Sequence, residues 1–181
     1  MMPLTTHDLI QFQAQHPDHR MELVNGEIKV MSPSGYESDE VAARVIGKLF
    51  PWVDSQRLGR VSASSAGFKL PNADVKAPDA SFVKAERLKR SPRSFAELAP
   101  DLMVEVKSPT DEVEALEAKI RQFLQVGTTV GILINPEDQT VKVYRFDQEP
   151  IALLNGDILT VPDLLPGWEL PIVEMWPPIF E

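Results

Sequence analysis

The sequence contains no cysteine, which excludes disulfide bonds, thiolate zinc sites and a cysteine nucleophile. No uninterrupted apolar run approaches the ~20 residues that a membrane span requires. The first residues also lack the basic and apolar regions of a signal peptide. We therefore expect a cytoplasmic protein with no membrane partner.

Several familiar active-site motifs are missing as well. The chain has no Walker-type phosphate loop, no dinucleotide-binding glycine turn, no H-E-x-x-H zinc pair and no G-x-S-x-G nucleophile elbow. These absences argue against the enzyme classes that depend on those motifs.

Positive charge is scarce: 18 Lys and Arg residues stand against 27 Asp and Glu residues, for a net charge of −9. A nucleic-acid backbone is attracted by cations, so the average charge opposes such a partner. Five basic residues nevertheless cluster within ten positions, namely Lys84, Arg87, Lys89, Arg90 and Arg93. Their pattern fits either a phosphate-facing loop or a solvated charged loop.

The 181 residues are 43% hydrophobic and 25% charged, which is typical of a soluble globular chain, and we predict one domain over residues 1–181. Asn25-Gly26 between alternating apolar positions predicts a β-hairpin over 20–30. Helices are predicted over 7–15, from a Ser38 or Asp39 cap to about 50, and from a Ser108 cap to Gly127. Strands are predicted over 60–70, 75–83, 102–106, 130–135 and 141–146, followed by a small hairpin at 155–156 and a tail from 165 that closes over the core.

This order of elements predicts an α/β (α+β-like) fold with a mixed β-sheet flanked by helices. The strand over 102–106, the helix after it and the strand over 130–135 form a plausible right-handed βαβ crossover. The strand over 102–106 is nearly all apolar, so we expect it to be central in its sheet.

Two short strings carry the chemistry: Pro78-Asp79, and Glu105-Val106-Lys107. Side chains alternate along a strand, so Glu105 and Lys107 project from one face. If the two strands are neighbours, Asp79 joins them. Two carboxylates and a backbone carbonyl suit Mg²⁺, which can activate a water for phosphodiester hydrolysis while Lys107 stabilises the transition state.

A simpler interpretation competes with this one, because an acid and a lysine on a strand usually form a solvated face or a weak ion pair. The placement of the triplet at the end of an apolar strand favours function, since charge is unexpected there unless it is paired or ligating.

The chain resembles the Uma-two family, bacterial restriction-endonuclease-like proteins of the PD-(D/E)XK nuclease superfamily. The resemblance spans residues 20–175 and rests on an ordered set of motifs: Glu22-Leu-Val-Asn-Gly-Glu, Ala77-Pro-Asp-Ala-Ser, Leu102-Met-Val-Glu-Val-Lys-Ser-Pro, Lys119, Gly127 and Leu165-Pro-Gly-Trp-Glu-Leu. It implies a restriction-endonuclease-like core, an endonuclease that needs Mg²⁺ or Mn²⁺, nucleic acid (DNA in particular) as the partner, and a homodimer.

The resemblance also implies roles for single residues. Asp79 and Glu105 would be metal ligands, Lys107 the active-site lysine, Glu22 an additional acid and Lys119 a helper from the helix. Two of these have ordinary alternatives: Glu22 can pair across the hairpin with Lys29, and Lys119 can extend along the helix into solvent.

The chain departs from the family at Ser38 and Asp39, where members commonly have a histidine, and His7, His16 and His19 are expected at the surface instead. A nuclease-fold protein that binds a partner without cutting stays open as an alternative function, as does an enzyme acting on another phosphate-containing substrate.

Overall fold

The computed structural model describes residues 2–181 and has the mixed α/β architecture that the sequence predicts. Its helices are α1 (Thr6–Gln15), α2 (Tyr36–Ser55) and α3 (Val113–Gln125), and a 3₁₀ turn spans Ile172–Met175. Its strands are β1 (Arg20–Val24), β2 (Glu27–Met31), β3 (Gly59–Ala63), β4 (Phe68–Lys69), β5 (Val75–Lys76), β6 (Ala80–Lys84), β7 (Leu102–Val106), β8 (Val130–Asn135), β9 (Thr140–Tyr144), β10 (Ile151–Leu153), β11 (Ile158–Thr160) and β12 (Glu169–Pro171).

A six-stranded mixed sheet forms the centre, in the order β10-β9-β8-β7-β6-β3. Its β7 and β8 are parallel and joined by α3, which confirms the predicted βαβ unit, whereas the other pairs are antiparallel. All five residues of β7 are buried, as expected for a central strand.

The two faces of this sheet bury different helices. Val41, Val45 and Leu49 of α2 pack with Leu102 and Val104 of β7 on one face. On the other face, α3 packs against the sheet in a second cluster that includes Met103. Because side chains alternate along β7, Glu105 projects toward the α3 face, where a carboxylate needs a partner.

A smaller sheet in the order β2-β1-β5-β4 contains the predicted hairpin. Asn25 and Gly26 both have positive φ, 52° and 77°, which a type I′ turn requires. The register pairs Glu22 with Lys29 and Met21 with Val30, as expected from the turn length.

Two predicted strands are each divided between the sheets. The segment over 60–70 becomes β3 and β4, and the segment over 75–83 becomes β5 and β6. In the second case Pro78 lies at the break, and proline cannot donate a ladder hydrogen bond. Asp79 therefore immediately precedes a strand of the large sheet instead of lying inside one long strand.

The predicted start of α2 is wrong. The helix is capped by Gly35 without a side-chain hydrogen bond, and it continues through Pro51 to Ser55. Ser38 lies buried within the first turns, and its Oγ donates to the carbonyl of Lys107 at 3.1 Å, so it joins α2 to the chain beyond β7.

The predicted start of α3 is also wrong. Ser108 accepts no helical amide; its own N–H and Oγ donate to the Asp111 carboxylate at 2.8 and 2.7 Å. This local turn delays the helix to Val113, with Glu112 as its N-cap. Gly127, with φ of 114°, follows the helix end as expected.

The C-terminal region covers the α2 face of the core. The strands on either side of Asn155-Gly156 do not pair with each other: β10 pairs with β9 and β11 pairs with β12, so the predicted small hairpin is wrong. The tail does close over the core, because Leu165, Trp168 and Ile172 are buried within the α2 cluster. Within residues 2–181, no helix is both long and apolar enough to cross a membrane.

Candidate active site

The pairing of β6 with β7 brings the two key acids together. The antiparallel register places Ala80 opposite Val104, so Asp79 lies opposite Glu105 one step along. The Asp79 N–H donates to the Val104 carbonyl at 3.0 Å, and the Val106 N–H donates to Asp79 Oδ2 at 2.8 Å. The two strands are neighbours, as the chemical argument from the sequence requires.

Glu105 is held in an unusual environment for a carboxyl group. It is 3% exposed, and its Oε1 has no hydrogen-bond partner among residues 2–181. Burial raises the pKa of Glu105 to about 8, although the neighbouring Lys119 opposes the shift. Burial also raises the pKa of Asp79, against the hydrogen bond from Val106.

Lys119 reaches from α3 into the space between the acids. Its Nζ donates a hydrogen bond to Glu105 Oε2 at 3.3 Å and lies 3.0 Å from Glu105 Oε1 without hydrogen-bond geometry. The same Nζ lies 3.4 Å from Glu22 Oε1. Burial alone would lower the pKa of Lys119, but Glu105 and Glu22 together raise it, so the ammonium stays charged. With 16% of its side chain exposed, Lys119 does not extend into solvent.

Glu22 joins the same group from the hairpin. Its Cα pairs with Lys29, but its carboxylate turns to the site: Oε1 accepts from the Ala77 N–H at 2.8 Å and contacts Lys119. Ala77 also accepts from Lys119 Nζ at 3.1 Å through its carbonyl. The Lys119 ammonium therefore contacts two carboxylates and one peptide oxygen, which is one acceptor for each of its three N–H donors.

Lys107 does not join this group. It follows the last residue of β7, and its N–H still bonds to Ile134. Its Nζ donates to the Ser108 carbonyl at 3.3 Å and to Glu137 at 3.1 Å. The structure therefore brings together Asp79, Glu105, Glu22 and Lys119, and places the Lys107 ammonium elsewhere.

Three further polar residues next to the site were not identified from the sequence: Asp74, Lys76 and Gln122. They form a buried hydrogen-bonded cluster between β5 and α3. The only sequence signal for this cluster is that Asp74 and Lys76 lie two residues apart, which is the same spacing as Glu105 and Lys107.

Glu22, Asp79, Glu105 and Lys119, with Lys76 and Gln122, line a cleft of roughly 720 Å³ between the hairpin, β5, the ends of β6 and β7, and α3. Although the chain is acidic overall, four cations line this cleft: Arg20, Lys29, Lys76 and Lys119. Another cavity, of roughly 640 Å³ between α1 and the hairpin, is lined mainly by apolar side chains such as Phe12 and Ile28 and contains none of the four site residues. The four candidate site residues therefore lie in the cleft.

The basic residues of the 84–93 segment lie away from the cleft. They begin at Lys84, the last residue of β6, whereas Asp79 precedes the start of that strand, and five strand residues span about 16 Å. Arg87 pairs with Asp101 at 2.9 Å, and Arg60 donates to the carbonyls of Leu88 and Lys89. These contacts fix the segment as an ordered surface loop.

His7, His16 and His19 are exposed, as expected.

The donor set suits a hard divalent cation. The acids offer only oxygen, and Glu105 Oε1 is buried without a hydrogen bond. Within residues 2–181, no three acidic or histidine side chains converge closely enough to form a metal cage. Mg²⁺ does not require one, because it is usually held by one or two carboxylates and keeps several waters. Asp79 and Glu105 meet that requirement.

The chain has a mixed sheet around a central βαβ unit, with acids at the ends of neighbouring strands, and the family model that matches it describes restriction-endonuclease-like proteins. The chain belongs to the Uma2 family, described as "Putative restriction endonuclease", whose model matches residues 6–173.

A solved structure gives the same fold: a protein described as a putative nuclease belonging to DUF820, from Anabaena variabilis ATCC 29413. It has a TM-score of 0.77 and 24% sequence identity, over 86% of this chain and 88% of that chain. At this identity the likeness shows the fold alone. None of the curated proteins compared with the chain matches it.

Proposed function

We propose that this protein is an endonuclease that uses Mg²⁺ or Mn²⁺ to hydrolyse phosphodiester bonds of nucleic acid, with DNA as its substrate. The observation that carries the proposal is the placement of Asp79 opposite Glu105 at the ends of two paired strands, with Lys119 between Glu105 and Glu22. Family membership agrees with this chemistry.

Asp79 and Glu105 would hold the cation, which when bound supplies an activated water and offsets charge on the phosphate. Once Glu105 has released its proton, these two carboxylates and that of Glu22 carry a formal charge of −3, and Lys119 reduces this to −2. One divalent cation balances that charge.

Lys119 has a different task from the metal ligands. It keeps Glu105 and Glu22 in place and offers a fixed positive charge beside the position where phosphate charge would develop. Arg20 and Lys29, on the hairpin wall of the cleft, would contact flanking phosphates.

The test is cleavage of plasmid and single-stranded DNA, with and without Mg²⁺ or Mn²⁺, by the wild-type protein and by Asp79→Asn. The variant keeps the shape and the hydrogen bond from Val106 but loses the charge, and we expect its cleavage rate to fall at least ~100-fold. Asp147→Asn, at an exposed surface position, is the matched control.

If purified protein neither binds a divalent cation nor cuts any nucleic acid, the proposal is wrong, and a partner-binding role without catalysis takes its place. RNA in parallel assays tests the preference for DNA. The homodimer stays a prediction that analytical ultracentrifugation tests, and the cytoplasmic location stays a prediction too.

A further inference from the structure

A second polar cluster lies next to the acids and Lys119. The Asp74 and Lys76 side chains are only 2% and 7% exposed, and Lys76 Nζ lies 3.6 Å from Asp74 Oδ2. Gln122 joins them: its Nε2 donates to Asp74 Oδ2 at 2.9 Å, and its Oε1 accepts from Lys76 Nζ. The three side chains form a closed triangle of polar contacts.

A buried ion pair of this kind is not an efficient source of stability. Removing two charges from water costs several kcal/mol per ion, and well-packed apolar side chains often do as well or better. Burial lowers the pKa of Lys76, and Asp74 and then Glu22 oppose that shift. Stability alone therefore does not explain a buried lysine at position 76, and its place beside the candidate site points to a role in that site.

The cluster connects the elements that carry the site. Asp74 Oδ1 accepts from the Asn25 N–H at 2.7 Å, at the turn of the hairpin that presents Glu22. Gln122 follows Lys119 by three residues on α3, so the two side chains lie on one face of that helix. Hairpin, β5 and α3 meet at this point.

Lys76 directly precedes Ala77, whose backbone contacts both Glu22 and Lys119. The N–H of Ala77 binds Glu22 Oε1, and the carbonyl of Ala77 binds Lys119 Nζ. A shift of the backbone at Lys76 therefore passes directly to Ala77. Asp74 and Gln122 hold the Lys76 side chain from two sides and so limit such a shift.

We propose that Lys76 is a positioning residue of the candidate site: anchored by Asp74 and Gln122, it fixes the Ala77 peptide and thereby the orientation of Glu22 and Lys119. The inference rests on the proposed nuclease function for its effect on catalysis, but its effect on Ala77 can be measured without substrate.

The first test is amide hydrogen exchange in Lys76→Met, which keeps the side-chain length and suits a buried position. We expect protection of the Ala77 amide to fall at least ~10-fold, while the amide of Val106, bonded to Asp79, changes less than ~2-fold. Lys69→Met is the matched control, a β4 lysine that is 37% exposed and pairs with exposed Glu97. It should leave both amides unchanged.

The second test is kinetic. Lys76→Met should lower kcat by ~10–100-fold, the range found when residues that support a metal site are removed. KM should stay within ~3-fold, because Lys76 acts through Ala77 and not on the substrate. Lys76→Arg, which keeps the charge and the donors, should recover part of the lost kcat.

The inference is overturned if Ala77 protection is unchanged, if Ala77 and Val106 lose protection equally, or if kcat in Lys76→Met stays within ~3-fold of the wild-type value. If Lys76→Met does not fold, Gln122→Met on the half-buried face of α3 removes one of the two anchors of Lys76 and must lower the protection of Ala77 more than that of Val106. A wild-type protein that never cuts refutes the proposed function, and the exchange result still decides whether Lys76 positions Ala77.

Discussion

The buried carboxyl of Glu105 should make the stability of this protein fall as pH rises, and a divalent cation should reverse that fall. In the folded protein the pKa of Glu105 is about 8, whereas the ordinary value is 4.5. Between these values the folded state retains a proton that the unfolded chain has released. The stabilisation of the folded state by this retained proton is complete below pH 4.5 and is lost as pH rises through about 8.

The slope follows from this single proton. Where the folded state binds one proton more than the unfolded state, the free energy of unfolding decreases by about 1.4 kcal/mol for each pH unit. For a chain of this size, 1 kcal/mol corresponds to about 2–4 °C in Tm. Asp79, whose pKa is also raised by burial, adds to the slope in the same direction.

The assay is thermal unfolding between pH 5 and pH 8.5 in EDTA, repeated with Mg²⁺, for wild type and Glu105→Gln. The glutamine cannot titrate, so its Tm should depend less on pH across this range. Mg²⁺ at about 100 times its Kd would raise the free energy of unfolding of the wild type by about 2.7 kcal/mol. At one fixed Mg²⁺ concentration the increase should be larger at pH 8 than at pH 6, because Mg²⁺ competes with the proton for Glu105.

Two results would refute this reasoning. Equal pH slopes in wild type and Glu105→Gln would mean that Glu105 does not retain its proton in the folded state. A Mg²⁺ effect of the same size at pH 6 and pH 8 would mean that the cation binds elsewhere.

Other substitutions test separate parts of the structure. Lys119→Met leaves two acids without their shared ammonium and should lower kcat at least ~100-fold, whereas Lys107→Met should lower it less than ~5-fold; the reverse order in cleavage assays would contradict the observed geometry. Gly131→Ala would place a Cβ in collision with Ile120 Cγ2 of α3 and should destabilise the protein by about 1–3 kcal/mol in urea unfolding; no change would mean that α3 can move away from β8 without cost. Replacing both Lys89 and Arg90 by Ala should leave DNA affinity within ~2-fold, and a larger loss would place that loop in the interface.

The central strand and its helix could be predicted because their signals are local. The apolar run of β7 marks a buried strand, and Asn25-Gly26 sets the hairpin register that places Glu22. The order of helices and strands was sufficient to identify the βαβ unit. For these elements, existence and pairing therefore followed from periodicity and turn chemistry, unlike the wrongly predicted hairpin at 155–156.

The element boundaries failed where two local signals competed. Ser108 is a good helix cap by composition, but the nearby Asp111 carboxylate accepts its N–H and hydroxyl and stabilises a turn instead. Pro78 interrupts what reads as one strand, because the chain passes there from the small sheet to the large one. A local hydrogen-bonded turn decided the first case, and tertiary packing decided the second.

The lysine of the site shows the limit of a spacing argument. The E-x-K pattern places Lys107 on the face of Glu105 only while the strand continues, and β7 ends at Val106. Beyond that point the lysine follows a turn and reaches Glu137. The ammonium beside Glu105 comes from Lys119 of α3. Its neighbour Ile120 and, one turn further on, Phe123 are buried and anchor the helix to the sheet. The proposed chemistry needs a positive charge beside Glu105, and the packing of α3, not the spacing along β7, determines which lysine supplies it.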